Sequence, residues 1–185
     1  NDNVKDLTNR VANTLVEQIE QLSKIAGDFS QFANIGNVKP EEFDVSEIIQ
    51  SLIQLNSTRE NIHIEWNKAE GNYIIKADRV QISRLFANLF LNAIEASIQQ
   101  NEIKIIIHQS HQNNMLSIAI QDFGVGINDD LKNKIFTPNF TTKSSGTGLG
   151  LAICKGIAEK ANGTINFQTE KDKGTTFIVQ LPLLH

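Results

Sequence analysis

Two glycine-rich segments contain the residue types best suited to chemistry, Asp122–Gly126 (DFGVG) and Gly146–Gly150 (GTGLG). Glycine lets the main chain approach a ligand closely. A glycine-rich loop that leads into a helix also directs free N–H groups at an anion, with the helix dipole behind them. Because residues 151–160 form a good helical stretch, the second segment predicts a phosphate site. Asp122 ends a strand-like run, which would hold its carboxylate rigidly at a pocket wall. Either segment taken alone is better explained by turns.

Two asparagines predict a second part of the same chemistry. Asn88 and Asn92 lie four residues apart in a predicted helix that Asp78 caps, so both lie on one face. Asparagine is a poor helix former, so its use here calls for a reason. Amide oxygens are suitable ligands for Mg²⁺, but a pair of satisfied core hydrogen bonders would fit the same pattern. From the helix alone both interpretations stay open.

The composition is that of one folded domain, or of a domain with an appendage. Of the 185 residues, 40% are hydrophobic and 21% are charged, and the net charge of −4 argues against a dedicated nucleic-acid binder. No apolar stretch is long enough to span a bilayer. Cys154, the single cysteine, suits a reducing compartment and is expected to be a buried small hydrophobe. We therefore expect a cytoplasmic domain. Since the chain begins with Asn1, we expect a longer parent, whose membrane attachment stays open.

Residues 1–34 predict one long helix with a regular apolar seam. Such a helix would be about 50 Å long and cannot bury this seam on itself. It would either dock on the domain behind it or join an intermolecular bundle, and the regular seam favours the bundle. The seam steps alternately by four and three residues, as in a coiled coil: Leu15, Ile19, Leu22, Ala26, Phe29 and Ala33.

The rest of the pattern predicts an α/β fold, specifically an α+β two-layer sandwich. We expect a mixed sheet of about five strands with three helices on one face, preceded by the long helix. Helices are predicted at residues 45–55, 78–99 and 151–160, with a short helix at 128–135. Strands are predicted at residues 62–66, 73–77, 103–109, 115–121, 164–169 and 175–181.

Four sequence blocks resemble, in the same order, the motifs of the catalytic ATP-binding domain of two-component sensor histidine kinases. That domain belongs to the ATPase superfamily shared with DNA gyrase. The blocks are the N box (residues 88–93, NLFLNA), the first glycine box (122–126), the F box (136–143, FTPNFTTK) and the second glycine box (146–151, GTGLGL). The resemblance covers residues 45–183, and the long F box resembles that of the nitrogen-regulation-like branch. It implies a signal-transducing phosphotransferase that uses ATP and Mg²⁺.

The resemblance also implies roles for single residues. Asp122 would accept a hydrogen bond from the adenine amino group. Asn92 would ligate Mg²⁺, and Asn88 would support the metal or the phosphates. Residues 137–147 would form a lid over ATP that Phe140 anchors, and Lys143 would reach the γ-phosphate or stay solvated. Gly124 and Gly126 would lie under the base, and Thr175 would hold the adenine through water. Amides for the phosphates would come from Gly146, Gly148 and Gly150. The predicted ATP-binding site is completed by Ile127, Thr147 and Leu149.

The phosphoacceptor of such kinases is a histidine before an acidic residue, on the first helix of a dimerisation hairpin. His63 and His108 lie in predicted strands, His111 lies at a turn and His185 is the last residue, so none fits. Residues 1–35 instead resemble the second helix of that hairpin, followed by a linker (36–44) and the catalytic domain (45–185). We therefore assign no catalytic residue. We expect a homodimer through the N-terminal helix in the full-length protein, a response regulator receiver domain as partner, and no nucleic acid.

Two alternative functions stay open. ATP could order the lid and gate the docking of a partner without phosphoryl transfer. An anti-sigma-type serine kinase belongs to the same superfamily, although it lacks a long preceding helix. The histidine kinase hypothesis predicts that this chain binds nucleotide and does not autophosphorylate. In the full protein, the γ-phosphoryl group would pass to a histidine and then to an aspartate of the response regulator.

Overall fold

The computed structural model of the protein describes residues 2–36, 38–143 and 146–184. The helices in these ranges are α1 (Asp2–Asn34), α2 (Val45–Asn56), α3 (Arg79–Ala96) and α4 (Gly150–Lys160). The strands are β1 (Glu41–Asp44), β2 (Ile62–Asn67), β3 (Ile74–Ala77), β4 (Ile103–Gln112), β5 (Met115–Asp122), β6 (Thr164–Glu170) and β7 (Gly174–Pro182).

Five strands form one mixed sheet in the order β2-β4-β5-β7-β6. β2 and β4 run parallel, and the other neighbouring strands run antiparallel. Asn113 and Asn114, both with positive φ, make the tight turn between β4 and β5. β3 pairs outside this sheet, with β1, as a separate antiparallel pair. β1 lies within residues 36–44, the segment predicted as a linker, where four residues are too few to show a strand period.

One face of the sheet carries the core. Side chains alternate between the two faces along a strand, so Ile105 and Ile107 of β4 are buried together with Leu116, Ile118 and Ile120 of β5. The apolar sides of α2, α3 and α4 pack on this face. Each buried side chain of this size stabilises the fold by about 1.5–3 kcal/mol. The expected mixed sheet with three helices on one face is confirmed.

The ends of two helices follow the predicted signals. The side chain of Asp78 accepts a hydrogen bond from the Gln81 N–H at 3.0 Å and so caps the start of α3. After α4, Asn162 adopts a φ of 56°, and the Gly163 N–H donates to the Ala158 carbonyl at 2.8 Å. This bond closes the last turn in the way that left-handed residues end helices.

The prediction of a helix at residues 128–135 is wrong. Only Asp129–Leu131 is helical, as one 3₁₀ turn. The N–H groups of Lys134 and Thr137 donate to carbonyls three residues back, each at 2.8 Å. Within the segment Ile135 is buried, whereas the polar residues are exposed or half-buried. One buried side chain is too little tertiary packing to hold so short an α-helix.

Helix α1 is long, as predicted, and its apolar seam is exposed. Leu15, Ile19, Leu22 and Phe29 are 58%, 62%, 64% and 66% exposed. The C-terminal part of α1 contacts the region of α4, where a Cβ added to Gly156 would lie 3.2 Å from Ile35. None of the helices in the described ranges is both long and apolar enough to cross a membrane.

Candidate functional site

A cavity of about 650 Å³ lies between α3, the loop after β5 and the segment before α4. This volume is within the range of about 300–1,000 Å³ that small-molecule sites occupy. Gly124 and Leu149 are the predicted site residues that do not line it. The predicted residues that line the cavity are Asn88, Asn92, Asp122, Gly126, Ile127, Phe140, Lys143, Gly146, Thr147, Gly148, Gly150 and Thr175.

Asp122 is a buried carboxylate at one end of the cavity. It continues the inward-facing series of β5 past Ile120, so strand alternation directs its side chain toward the helices, and it is 2% exposed. Its Oδ1 accepts hydrogen bonds from the Gly124 N–H at 2.9 Å and the Thr175 N–H at 3.1 Å. Oδ2 has no hydrogen-bond partner among the described residues. Burial raises the pKa of this carboxyl above 3.8, although the two N–H groups and the charge of Lys143 oppose the shift.

The glycines of the first box fit where a side chain would not. A Cβ on Gly124 would overlap the Ala96 carbonyl at the end of α3. Gly126 has a φ of +64°, and a Cβ there would overlap the Glu170 carbonyl. Beside them, the Ile127 N–H donates to Thr169 Oγ1 at 3.0 Å. Gly124 therefore packs the loop on α3 and orients Asp122, while Gly126 is part of the cavity wall.

One face of α3 forms the opposite wall. Asn88, Asn92 and Glu95 follow one another at spacings of four and three residues, and all are half-buried and line the cavity. The Nζ of Lys143 donates to Asn92 Oδ1 at 2.9 Å and also to Glu95 Oε2. Asn88 lies beside the thiol of Cys154. Asn92 therefore faces the cavity with its oxygen toward a cation, while Asn88 also contacts the core.

The second glycine box packs on the lid and then begins α4. Gly148 has a φ of +70°, and a Cβ there would lie 2.5 Å from the backbone carbon of Asn139. Leu149 is buried in the core at 6% exposure, which anchors the segment. A Cβ on Gly150 would meet no atom within 4 Å, and α4 has no side-chain cap hydrogen bond at its N-terminus. The first N–H groups of α4 are thus open to an anion.

The structure describes only part of residues 137–147, the segment predicted to form the lid. Phe140 is half-buried against the core, and the Lys143 N–H donates to Thr141 Oγ1 at 3.0 Å. Ser144 and Ser145 lie outside the described residues.

Cys154 is fully buried and burial raises the pKa of its thiol to about 12, so it is a core residue, as expected.

The described histidines offer no helical phosphoacceptor. His63 lies in β2 and His108 in β4, as predicted. His111, expected at a turn, lies near the end of β4, where its Nδ1 is 3.2 Å from the Tyr73 hydroxyl. His185 lies outside the described residues.

Sequence reasoning missed four charged residues that line the cavity: Asp28, Glu95, Lys171 and Asp172. Glu95 follows Asn92 by three residues, so the helical spacing places it on the same face, but spacing alone does not distinguish it from a solvated glutamate. Asp28 accepts a hydrogen bond from Thr147 Oγ1 at 2.6 Å. The two residues are 119 positions apart, so no local pattern could have predicted this contact.

The fold and site together define a domain in which a helix start without a side-chain cap and a buried carboxylate line one cavity. The family model described as "Histidine kinase-, DNA gyrase B-, and HSP90-like ATPase" matches residues 77–185. Among solved structures, the catalytic domain of histidine kinase ThkA is 32% identical with a TM-score of 0.70, covering 78% of this chain and 96% of that one. The chain therefore belongs to this ATPase family and contains a histidine kinase catalytic domain, as its sequence blocks predicted.

Curated relatives agree with this assignment. The sensor histidine kinase ZraS of Escherichia coli K12 is 30% identical over 177 residues, 94% of this chain and 38% of the relative. The histidine protein kinase SaeS of Staphylococcus epidermidis is 30% identical over 90% of this chain and 51% of the relative. The chain thus spans about two fifths to half of these relatives. ThkA in complex with its response regulator TrrA is 27% identical, with a TM-score of 0.76 over 93% of this chain and 50% of that one.

Proposed function

We propose that this chain is the ATP-binding catalytic part of a sensor histidine kinase. The observation that carries the proposal is the convergence of Asp122, Asn92 and the second glycine box on one cavity. A triphosphate nucleotide needs a hydrogen-bonding group for its base, amides for its phosphates and oxygen ligands for its cation. The family and the named relatives support the same conclusion.

Asp122 is proposed to select adenine. With Oδ1 engaged by two backbone N–H groups, Oδ2 is the atom that can accept from the exocyclic amino group of adenine. Guanine carries an oxygen at that position and would face the carboxylate with an acceptor. Thr175 lines the cavity and its N–H donates to Asp122 Oδ1 at 3.1 Å, so its position beside this carboxyl supports the proposed water-mediated contact to the base.

The phosphates are proposed to lie at the start of α4. Gly146, Gly148 and Gly150 line the cavity there, and the uncapped N–H groups of α4 supply donors and the positive end of the helix dipole. Lys143 begins beside this segment, since a Cβ on Gly146 would lie 3.2 Å from Lys143 Cβ, and its Nζ extends to Asn92 on α3. Catalysis would then come mostly from positioning and charge neutralisation, as is general in phosphoryl transfer.

The residues present also fit a Mg²⁺ ion. Mg²⁺ prefers oxygen ligands and often takes only one or two from the protein, the rest coming from phosphates and water. Asn92 Oδ1 already faces a cation, the Lys143 ammonium, at 2.9 Å. When bound, Mg²⁺ would neutralise phosphate charge. Asn88 is the weaker metal candidate, because its side chain also lies beside Cys154.

The proposed partners are a second copy of the chain and a response regulator. The exposed seam of α1 has the spacing of a helical bundle, which supports homodimerisation through this helix in the full-length protein. The structure of ThkA with TrrA supports a receiver domain as partner. We also propose a cytoplasmic location, where ATP is available, for this part of the protein, while the membrane attachment of the parent stays open. The nitrogen-regulation-like branch stays a prediction.

A nucleotide-gated interaction module is the second candidate function. It is favoured by the hydrogen bond between Asp28 of α1 and Thr147 of the second glycine box, since this contact joins the helix to the nucleotide cavity. Ordering of the lid by ATP could therefore change how α1 is presented to a partner. The proposed serine kinase of the anti-sigma type has less support, because the named relatives are sensor histidine kinases.

Transfer of labelled phosphate separates these functions. The chain is mixed with [γ-³²P]ATP, Mg²⁺ and a separately supplied helix that carries a histidine followed by an acidic residue. The kinase proposal predicts label on the supplied helix, stable to base and labile to acid, and no label on the chain itself. Asp122→Ala, checked for folding by circular dichroism, should abolish the signal. Nucleotide binding without any transfer would instead favour the gated module.

A further inference from the structure

We propose that Glu95 is a second protein ligand, beside Asn92, for the divalent cation that enters with the nucleotide. We further propose that the Lys143 ammonium occupies that cation position in the nucleotide-free protein. The inference rests on the proposed ATP site, and deepens it by assigning a carboxylate ligand and an internal competitor to the metal.

The first support is geometric. One ammonium nitrogen, Lys143 Nζ, contacts both Asn92 Oδ1, at 2.9 Å, and Glu95 Oε2. Two oxygens that converge on one positive centre supply two of the six oxygen ligands that an octahedral Mg²⁺ takes. Because the two residues are three positions apart on α3, the helix itself holds them in this arrangement.

The second support is charge. Glu95 has one third of its side chain exposed, and among the described residues its ion pair is with Lys143. If a triphosphate entered beside this carboxylate with no cation between them, like charges would repel. A divalent cation placed between Glu95 and the phosphates turns this repulsion into attraction. Because Glu95, unlike Asp28, shares a cation with Asn92, a bridging metal is the role that its charge supports.

The third support is elimination among the acidic residues that line the cavity. Asp122 is held by the N–H groups of Gly124 and Thr175 at the other end. Asp28 accepts the Thr147 hydroxyl. Asp172 lies in the turn between β6 and β7 with a φ of 61°. Glu95 is the carboxylate that shares a cation with Asn92, and Mg²⁺ sites that include substrate phosphates commonly use one or two carboxylates.

Lys143 then has two successive partners. Without nucleotide it neutralises Glu95 and occupies the oxygen of Asn92. When the metal and nucleotide enter, the metal replaces the ammonium, and Lys143 is released toward the phosphates. This exchange keeps the local charge balanced in both states, and it couples the position of the Lys143 side chain to metal binding.

The test compares ATP binding in EDTA and in Mg²⁺ by isothermal titration calorimetry, for the wild type and Glu95→Gln. The wild type should bind more tightly with Mg²⁺. In Glu95→Gln this Mg²⁺-dependent tightening should fall by about 10-fold or more, since even indirect metal contacts change affinity by about 10–100-fold. In EDTA the same variant should bind ATP more tightly than the wild type, because a repelling charge is gone. Glu159→Gln on the exposed face of α4 is the matched control and should change neither value.

The outcomes are distinguishable. An unchanged Mg²⁺ effect, or an equal loss in both conditions, overturns Glu95 as a ligand while leaving the ATP site intact. A folded wild type that binds no ATP in either condition overturns the proposed function as well.

A metal-preference measurement gives an independent readout. In Glu95→Cys, a thiolate ligand should shift the preference from Mg²⁺ to Cd²⁺, so that Cd²⁺ restores ATP tightening that Mg²⁺ does not. Cys154 does not interfere, because it is fully buried. Failure of Cd²⁺ to restore the tightening in a folded, ATP-binding variant contradicts direct coordination.

A third measurement tests whether the Lys143 ammonium competes with the metal. Without nucleotide, Lys143→Gln should bind Mn²⁺ more tightly than the wild type, as measured by electron paramagnetic resonance. Equal Mn²⁺ affinity would overturn the proposal that Lys143 occupies the cation position.

Discussion

At the scale of single residues, Asp122 combines an observed structural role with the proposed binding of adenine, and one substitution can separate the two. Its Oδ1 accepts hydrogen bonds from two backbone N–H groups, its Oδ2 accepts none among the described residues, and the residue lines the cavity. In Asp122→Asn the amide oxygen can keep both backbone bonds, while the NH₂ group would meet the adenine amino group donor to donor. We expect ATP affinity to fall at least about 10-fold, since hydrogen bonds to charged groups contribute about 1.5–3 kcal/mol. Calorimetry measures this, and unchanged affinity in a folded variant would refute the adenine assignment.

The same substitution makes a prediction about pH. Burial raises the pKa of Asp122 above its ordinary 3.8, so the folded protein holds this proton more tightly than the unfolded chain. Ionisation therefore costs folded-state stability, and the cost grows as pH rises from about 3.8 through the raised pKa. The amide in the Asp122→Asn variant does not titrate. The free energy of unfolding of this variant relative to wild type should thus be most favourable at pH 7 and decline toward pH 4. Urea denaturation at several pH values tests this, and a difference independent of pH would contradict it.

Residue spacing explains which site residues could be predicted. Asp122 and Asn92 stand out because a strand-end carboxylate and an asparagine inside a helix are unusual choices. Glu95 does not stand out, since glutamate on a helix is normally solvated, and only its shared contact with Lys143 gives it a role. Asp28 reaches the cavity only because α1 folds back near α4, which no local pattern encodes.

At the scale of elements, the contact between the second glycine box and the lid depends on one glycine. Gly148 has a φ of +70° and would bring a Cβ within 2.5 Å of Asn139. We expect Gly148→Ala to lose about 1–3 kcal/mol of stability through this strain. The matched control is Gly150→Ala, where a Cβ meets no atom within 4 Å and the unfolding free energy should hardly change. Thermal denaturation of both variants measures this difference in stability. Equal losses of stability in the two variants would show that the strain is not local to Gly148.

The contact between α1 and the glycine box also leads to a prediction. Asp28 accepts from Thr147 at 2.6 Å and places a carboxylate at the proposed phosphate site. Asp28→Asn keeps the oxygen acceptor and removes the charge. ATP should therefore bind up to about 5-fold more tightly at low salt, because a partly screened charge interaction contributes up to about 1 kcal/mol. Asp6→Asn, on the same helix but exposed and paired with Arg10, is the control. Weaker ATP binding by Asp28→Asn would contradict a repulsive role.

Elements with a long, regular period were predictable, and short ones were not. The seam of α1 and the alternation of β4 and β5 extend over enough residues to be unambiguous. β1 has four residues and exists through its pairing with β3. The predicted helix at 128–135 gave way to a 3₁₀ turn because too few of its residues pack on the core.

At the scale of the whole molecule, the fold brings residues from several separate parts of the chain to one cavity. β5 supplies Asp122, α3 supplies Asn92, the segment before α4 supplies its glycines, and α1 supplies Asp28. The sheet holds the proposed adenine end of the cavity, because Asp122 belongs to a strand paired on both sides. The proposed phosphate end contacts α1 through Asp28 and Thr147. Under this assignment, a change at α1 would alter phosphate binding without disturbing the base.

The central claim is that these groups bind one nucleotide together. The most direct measurement is a ¹⁵N NMR titration of the chain with Mg²⁺ and a non-hydrolysable ATP analogue. We predict saturable shifts of the backbone amides of Gly126, Gly148 and Gly150 and of the side-chain amide of Asn92, all with one dissociation constant. Shifts confined to another surface, such as the groove beside Pro40 and Leu184, or no shifts at millimolar nucleotide, would contradict the account.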